Sequence, residues 1–320
     1  MPVLNKHTII VKKPSHSLRH FFLKPRHWPS LAGMGILWCL SKLPWPLQYR
    51  LGHALGSLMY FFSKRRRYIA EKNLSVCFPE MDANSRKRLT KQHFKSMALG
   101  FIEFGIAWWA SEKSLNNRST LHGQEYLQAA KNKGNGVILL SAHFTCLELG
   151  GRLLSCHEPF NVMYRPNENP VIEYFMQNNR IRHFEKAIRR DDIRNMVKSL
   201  KAGNLVWYAS DQNFTQKNSV FADFFNVPAA TNTATSRLAR LSGAAVVPFF
   251  AIRKPDGKGY DLNILPALED FPSEDPAQDA IKINQIIEAQ VRKAPEQYLW
   301  VHRRFNSRPD GRSDFYDPPA

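Results

Sequence analysis

Short apolar runs alternate with polar, helix-like segments through most of the chain beyond residue 136. GVILLSA (136–142) is a continuous apolar run bounded by glycines, which is typical of a strand buried on both faces. NVMY (161–164), NLVWYAS (204–210) and AAVVPFFAI (244–252) repeat this pattern. Strands that alternate with helices predict an α/β fold in which a mostly parallel central sheet is flanked by helices on both faces.

The helices between these strands have recognisable ends. A helix is expected over about 145–156, and residues 68–113 also have a helical pattern. Ser, Thr, Asp, Asn and Pro mark helix starts, whereas Gly marks helix ends. The expected starts are Pro170, Asp191 or Asp192, Asn232 or Thr233, and Asp275-Pro276, and the expected ends are Gly203 and Gly243.

Two apolar runs precede this region, at 27–41 and 51–63, and neither alone reaches the roughly 20 residues of a spanning helix. One span over about 27–46, two shallow helices lying in one leaflet, and a buried hairpin of a soluble domain are the three interpretations. Basic residues flank the runs on both sides, in the tail 1–26 and in KRRR (64–67). Membrane attachment is therefore favoured over the buried hairpin.

Three segments are predicted: a basic N-terminal tail (1–26), a membrane anchor or pair of interfacial helices (27–67), and one large domain (68–320). The formal net charge of +18 implies an anionic partner, such as nucleic acid, an acidic membrane or an acidic protein. The four cysteines show no CxxC spacing and no pattern with histidine that suits zinc. A reduced chain facing the cytoplasm is expected, with no metal and no cofactor.

SAHFTCLE places His143 just past the carboxyl end of a predicted buried strand, where open α/β sheets bind ligands. Glu148 follows five residues later. On one helix these side chains would point about 140° apart, so they meet only if His143 lies in the turn before the helix. A carboxylate on one imidazole nitrogen would leave the other free to take a proton. A structural histidine is the alternative, and a thiol role for Cys146 is disfavoured.

Several distinctive blocks accompany HFTCLE along the chain. They are NLSVCFPE (73–80), MYRPNENP (163–170), FFNVPAAT (224–231), AVVPFFA (245–251) and PEQYLWVHRRFNSRP (295–309). In these blocks and in their order, over about residues 28–310, the chain resembles the late acyltransferases of lipid A biosynthesis. These are the lauroyl and myristoyl transferases of Gram-negative bacteria, within the glycerolipid acyltransferase superfamily. The closing segment departs from the family pattern at Asn306-Ser307, where Lys-Thr is usual.

The resemblance implies that 68–320 is an acyltransferase domain at the cytoplasmic face of the bacterial inner membrane. His143 would act as general base, oriented by Glu148, on a hydroxyl of a Kdo-linked lipid A precursor. That hydroxyl would attack the thioester of acyl–acyl carrier protein, so the implied partners are acyl carrier protein, the lipid A precursor and the anionic membrane, not nucleic acid. Within the family, the overall sequence pattern favours the myristoyl transferases, which add the second of the two secondary acyl chains.

Three other residues are candidates for substrate binding or support of the site. Arg165 follows a strand and carries a guanidinium suited to phosphate or to an oxyanion, and Arg180 is a second candidate for this role. Each also suits a solvated surface. Asp211 closes the strand 204–210 on the same side of the sheet as His143, where it supports the site by hydrogen bonding or caps a turn.

Two rival functions stay open. The first is a lysophospholipid or other glycolipid acyltransferase with the same pair of residues, although the chain lacks the phosphate-binding block typical of those enzymes. The second is a non-catalytic basic protein that binds membrane or nucleic acid, for which the charge is the support. No nucleic-acid-binding motif accompanies that charge.

Overall fold

The computed structural model describes residues 18–214, 218–311 and 314–317. Most of the predicted basic tail lies outside these ranges. The α-helices are α1 (Leu18–Phe22), α2 (Trp28–Lys42), α3 (Trp45–Phe62), α4 (Lys64–Cys77), α5 (Ala83–Trp109), α6 (Glu112–Leu115), α7 (Gln124–Lys131), α8 (Leu147–Leu154), α9 (Pro170–His183), α10 (Ile193–Lys201), α11 (Ala234–Ser242) and α12 (Pro276–Lys293). The strands are β1 (Ser119–His122), β2 (Val137–Ser141), β3 (Asn161–Tyr164), β4 (Lys186–Arg189), β5 (Leu205–Ala209), β6 (Ser219–Phe224), β7 (Val227–Asn232), β8 (Ala245–Arg253) and β9 (Tyr260–Ile264).

The described residues form a seven-stranded sheet in the order β1-β9-β8-β2-β5-β3-β4. Its pairs are parallel except for β8 with β9, which are antiparallel. All five residues of β2 are buried, because helices cover this central strand on both sides. The predicted α/β class with a mostly parallel sheet is confirmed. The outer strands β1, β9 and β4 and the separate β6–β7 hairpin were not predicted, since their short sequences carry no long apolar run.

The predicted helix ends agree closely with the structure. The side chain of Asp192 accepts a hydrogen bond from the backbone N–H of Asn195 and so caps α10. The side chain of Asp275 caps α12 in the same way. Gly243 ends α11 with φ of +73°, in the left-handed region that glycine adopts without a Cβ penalty. These local signals worked because each depends on the backbone of its own neighbours.

The two N-terminal apolar runs form separate helices. α2 ends at Lys42 and α3 begins at Trp45, so one continuous helix over 27–46 is wrong. Leu43 and Pro44 adopt extended backbone angles between them, as expected for a proline and the residue before it. Across the described ranges, no helix combines the length and the apolar character needed to cross a bilayer.

α3 packs against α5 through its glycines. A Cβ on Gly52 would lie 2.4 Å from Leu99, and one on Gly56 would lie 2.4 Å from the backbone of Lys95. These distances are too short for any side chain, so the two helices approach closely only because glycine is present. The glycine face of α3 therefore points toward the protein, which leaves its other face outward.

A buried ion pair ties α5 to the sheet. The guanidinium of Arg253 on β8 donates to both carboxylate oxygens of Glu103, at 2.5 and 2.8 Å, and both side chains are nearly inaccessible to solvent. Arg253 also donates to the hydroxyl of Thr145, at 3.0 Å. Thr145 lies two residues after His143, so this network fixes the turn that follows β2 against α5.

Candidate active site

Two side chains meet where neighbouring strands end. β2 and β5 pair in parallel, with Ser141 opposite Ala209. His143 and Asp211 each come two residues after that last pair. Parallel strands bring their carboxyl ends to the same edge of a sheet, so the two residues arrive side by side.

The geometry of this pair is that of a base and its orienting carboxylate. His143 Nδ1 donates to Asp211 Oδ1 at 2.6 Å, and the backbone N–H of His143 donates to Oδ2 at 2.9 Å. Within the described residues the other ring nitrogen, Nε2, makes no hydrogen bond. The side chain of His143 is 28% exposed whereas that of Asp211 is 2% exposed. The imidazole is thus held from inside and accessible from outside.

Electrostatics favour proton uptake by this imidazole. Burial opposes a charge on His143, but attraction and hydrogen bonding to Asp211 outweigh it and raise the pKa of His143 above its ordinary value. For Asp211 burial favours the neutral acid, yet His143 and the hydrogen bonds lower its pKa to about 2. Asp211 therefore stays ionised and stabilises the imidazolium once His143 takes a proton.

The C-terminal segment holds the turn that carries His143. The backbone N–H of Leu299 donates to the carbonyl of His143 at 3.0 Å, and that of Thr145 donates to the carbonyl of Gln297 at 2.7 Å. An antiparallel bridge between Phe144 and Tyr298 lies between these bonds. The turn after β2 thus gains strand-like pairing with a segment close to the end of the chain.

The same segment also fixes the loop of Asp211. The buried Tyr298 hydroxyl faces the Asp211 carboxylate closely enough to help lower the pKa of Asp211. Two residues on, the backbone N–H of Asn213 donates to Nε2 of His302 at 3.0 Å, and the Asn213 amide nitrogen donates to Ser307 at 3.1 Å. Burial lowers the pKa of His302 to about 4, so this imidazole is neutral and can accept the bond.

Glu148 does not take the predicted place beside His143. Its carboxylate accepts from Arg180 Nη2 at 2.9 Å and from Trp108 Nε1 at 3.1 Å. Among the described residues no hydrogen bond joins it to His143, and the carboxylate on Nδ1 is that of Asp211. Glu148 is held elsewhere because His143 leaves β2 beside β5, while Glu148 lies on α8 and faces α5 and α9.

Glu148 and Arg180 form a largely buried ion pair. Burial raises the pKa of Glu148, but the nearby Arg180 guanidinium outweighs burial and leaves the pKa below its ordinary value. Arg180 is 11% exposed and its guanidinium lies 5.4 Å from the centre of the Tyr164 ring. By contrast, Arg165 is 62% exposed and pairs with Glu168, which is also exposed. The structure thus brings Arg180 to Glu148 but leaves Arg165 on the surface.

Thiol chemistry finds little support at this site. The Cys146 thiol is buried and donates to the carbonyl of Ala251, and burial raises its pKa to about 12. A nucleophilic cysteine needs a lowered pKa, so a thiol role remains disfavoured. Within the described part of the chain, no three His, Cys, Asp or Glu side chains are placed together to bind a metal ion.

Comparison with known proteins gives a consistent result. The family model described as bacterial lipid A biosynthesis acyltransferase matches residues 16–307. The chain is 41% identical over 290 residues to the lipid A biosynthesis lauroyltransferase of Escherichia coli K12, covering 90% of this chain and 95% of the relative. It is 40% identical over 296 residues to the palmitoleoyltransferase of the same strain, covering 92% and 96%.

Identity to the myristoyltransferase of that strain is 28% over 298 residues, covering 91% of this chain and 90% of the relative. The expected closeness to the myristoyl branch therefore finds no support, because the lauroyl and palmitoleoyl relatives are more similar.

Replacing Asp211 with asparagine should lower the pKa of His143, because the negative charge that favours the imidazolium is lost. An NMR titration with labelled histidine measures this directly. Asp261→Asn is the matched control, since Asp261 pairs with the exposed His122 at 3.1 Å, away from the site. An unchanged pKa of His143 in Asp211→Asn would show that the pair is not coupled in solution.

Proposed function

Because the chain belongs to the bacterial lipid A biosynthesis acyltransferases and is an acyltransferase, we propose that it acylates a hydroxyl of a Kdo-linked lipid A precursor. The acyl chain, of the lauroyl/myristoyl class, comes from acyl–acyl carrier protein. The observation that carries this proposal is the His143–Asp211 pair, in which Asp211 anchors one ring nitrogen of a histidine whose side chain is partly exposed.

Nε2 of His143 removes the proton of the acceptor hydroxyl as its oxygen attacks the carbonyl carbon of the thioester. The new C–O bond forms and the C–S bond breaks. The imidazolium of His143 then gives its proton to the departing sulfur, so that the carrier leaves as a thiol. A hydroxyl is a poor nucleophile near neutral pH, and a positioned base contributes about 10²–10⁴-fold. Asp211 supports this step by keeping Nδ1 protonated and by stabilising the imidazolium.

Glu148 positions Arg180, whereas Asp211 orients the general base His143. The buried Glu148 carboxylate, in the first turn of α8, accepts from Arg180 in the last turn of α9 and so holds the guanidinium in one orientation. A fixed guanidinium can stabilise negative charge on the tetrahedral intermediate or on a substrate phosphate. We propose the exposed Arg165 as a second contact for a phosphate group of the substrate.

We further propose that the outward face of α3 rests on the membrane. Its exposed apolar side chains are spaced three or four residues apart up to an adjacent pair of phenylalanines at the end, which places them on one stripe of the helix opposite the glycines. An apolar stripe turned to water is unfavourable, and a lipid surface would cover it. The stripe consists of Leu47, Leu51, Leu55, Leu58, Phe61 and Phe62.

Basic side chains border this stripe. Lys64, Arg65 and Arg66 are exposed directly after α3, and Arg50 is exposed within it. Each basic residue close to an anionic leaflet adds about 1 kcal/mol of attraction. This arrangement supports attachment to the cytoplasmic face of the inner membrane, where acyl carrier protein and the lipid precursor would meet.

Changing His143 to glutamine should reduce acyl transfer by about 10²–10⁴-fold, because the general base is lost. The assay follows transfer from acyl–acyl carrier protein to a Kdo-lipid A precursor, with a lysophospholipid as the competing acceptor. His122→Gln is the control, since this histidine lies in another, more exposed His–Asp pair. Full activity of His143→Gln would refute the mechanism, and a preference for the lysophospholipid would favour the rival substrate.

Changing Glu148 to glutamine should lower kcat/KM without moving the acidic limb of its pH profile. The active imidazole must be neutral, so activity falls as the pH drops through the raised pKa of His143. Asp211→Asn lowers that pKa and should move the limb to lower pH.

Glu158→Gln is the control for loss of a carboxylate, because Glu158 is also buried and pairs with Lys131 at 2.9 Å. If Glu148→Gln shifted the limb as Asp211→Asn does, Glu148 would be the orienting residue after all.

The double variant Phe61→Glu/Phe62→Glu should bind anionic vesicles about tenfold more weakly or worse, because apolar burial is replaced by charge repulsion. Vesicle flotation measures the bound fraction. Phe221→Glu provides the matched control, since Phe221 is an exposed phenylalanine on β6. Equal binding of both variants would exclude α3 as the contact surface.

A further inference from the structure

An apolar groove lies between the first two helices and the end of α5. Its volume is about 510 Å³, within the range of small-molecule sites. Among the described residues the lining includes no charged side chain, and its members come from α1, α2, the last residue of α5 and α9. They include Phe22, Trp28, Gly35, Trp38, Trp109 and Phe175.

This groove adjoins the residues around Glu148. The ring of Trp109, in its wall, lies 5.7 Å from the ring of Trp108, whose Nε1 donates to the Glu148 carboxylate. Phe175 contacts Trp109 with ring centres 6.1 Å apart, and it shares α9 with Arg180. A ligand in the groove would therefore be separated from the Glu148–Arg180 pair by a single layer of aromatic rings.

We propose that this groove binds the acyl chain being transferred, an inference that rests on the function proposed above. A hydrocarbon chain suits a lining without charge, and each CH₂ buried there contributes about 0.8 kcal/mol. The volume suits one chain rather than the several chains of a lipid A precursor.

The rim also suits an acyl donor. Lys42 lies 5.8 Å from the centre of the Trp38 ring and donates to the carbonyl of Trp109 at 2.9 Å, which places a positive charge beside the groove. Acyl carrier proteins present their chain on a phosphate-bearing arm, so a cation at the rim complements the donor. Trp28 and Phe22, each 57% exposed, open the groove toward solvent for entry of the chain.

Gly35 offers a direct test, because it lines the groove and a Cβ there would meet no atom within 4 Å. Gly35→Leu should therefore fold and narrow the groove. We expect its kcat/KM for the longest accepted acyl donor to fall about tenfold or more relative to a shorter donor. Gly33→Leu is the matched control, since Gly33 lies on the same helix, has the same free space and does not line the groove.

A second measurement does not depend on turnover. A fatty acid brominated along its chain quenches nearby tryptophans, and Trp28, Trp38 and Trp109 all line the groove. The titration is done in detergent that contains no other brominated lipid. We expect quenching in the unchanged protein and in Gly33→Leu. In Gly35→Leu we expect the brominated fatty acid to bind at least about threefold more weakly.

Each outcome has one meaning. Quenching as expected without any acyl transfer by the unchanged protein would refute the proposed function but retain a chain-binding groove. Transfer with the same donor-length profile in Gly35→Leu and Gly33→Leu would overturn the groove proposal alone. A response to the chain length of the acceptor, or quenching that appears only after removal of residues 1–17, would assign the groove to another occupant and likewise overturn it.

Discussion

The bond between His143 and Asp211 is the interaction on which the proposed chemistry depends. It exists because β2 and β5 pair in parallel with Ser141 opposite Ala209, so that two chain segments 68 residues apart end at the same point. A buried carboxylate needs hydrogen-bond donors, and His143 supplies two of them, the ring Nδ1–H and the backbone N–H. In return the carboxylate sets the tautomer and the basicity of the ring.

The surrounding structure holds this pair from both sides. The segment from Gln297 to Ser307 bonds to the turn after β2 and to the loop after β5, and the Arg253–Glu103 pair fixes Thr145 against α5. Such buried polar contacts are costly unless each group is satisfied, so they tolerate few alternative arrangements. This explains why a C-terminal segment far from His143 in sequence belongs to the architecture of the site.

The N-terminal helices carry the proposed contact with lipid. The glycines of α3 face α5, and a stripe of its leucine and phenylalanine side chains faces outward, the reverse of a helix that turns its apolar stripe to a core. The apolar groove opens beside α2 and reaches the aromatic layer next to Glu148. The proposed chain-binding groove thus lies beside the polar pair of Glu148 and Arg180.

The sequence alone was enough to predict the α/β class, the four central strands, most helix ends and the position of His143, because each depends on local periodicity or capping. It also placed Asp211 on the correct side of the sheet. It could not decide which carboxylate reaches the imidazole, because Glu148 is nearer in the chain. Strand register places Asp211 at Nδ1 of His143, whereas helix packing places Glu148 against Arg180 and Trp108. Contacts made by Tyr298 and His302 were equally invisible, since hydrogen bonds between distant segments leave no periodic signal, and only the tertiary structure decides them.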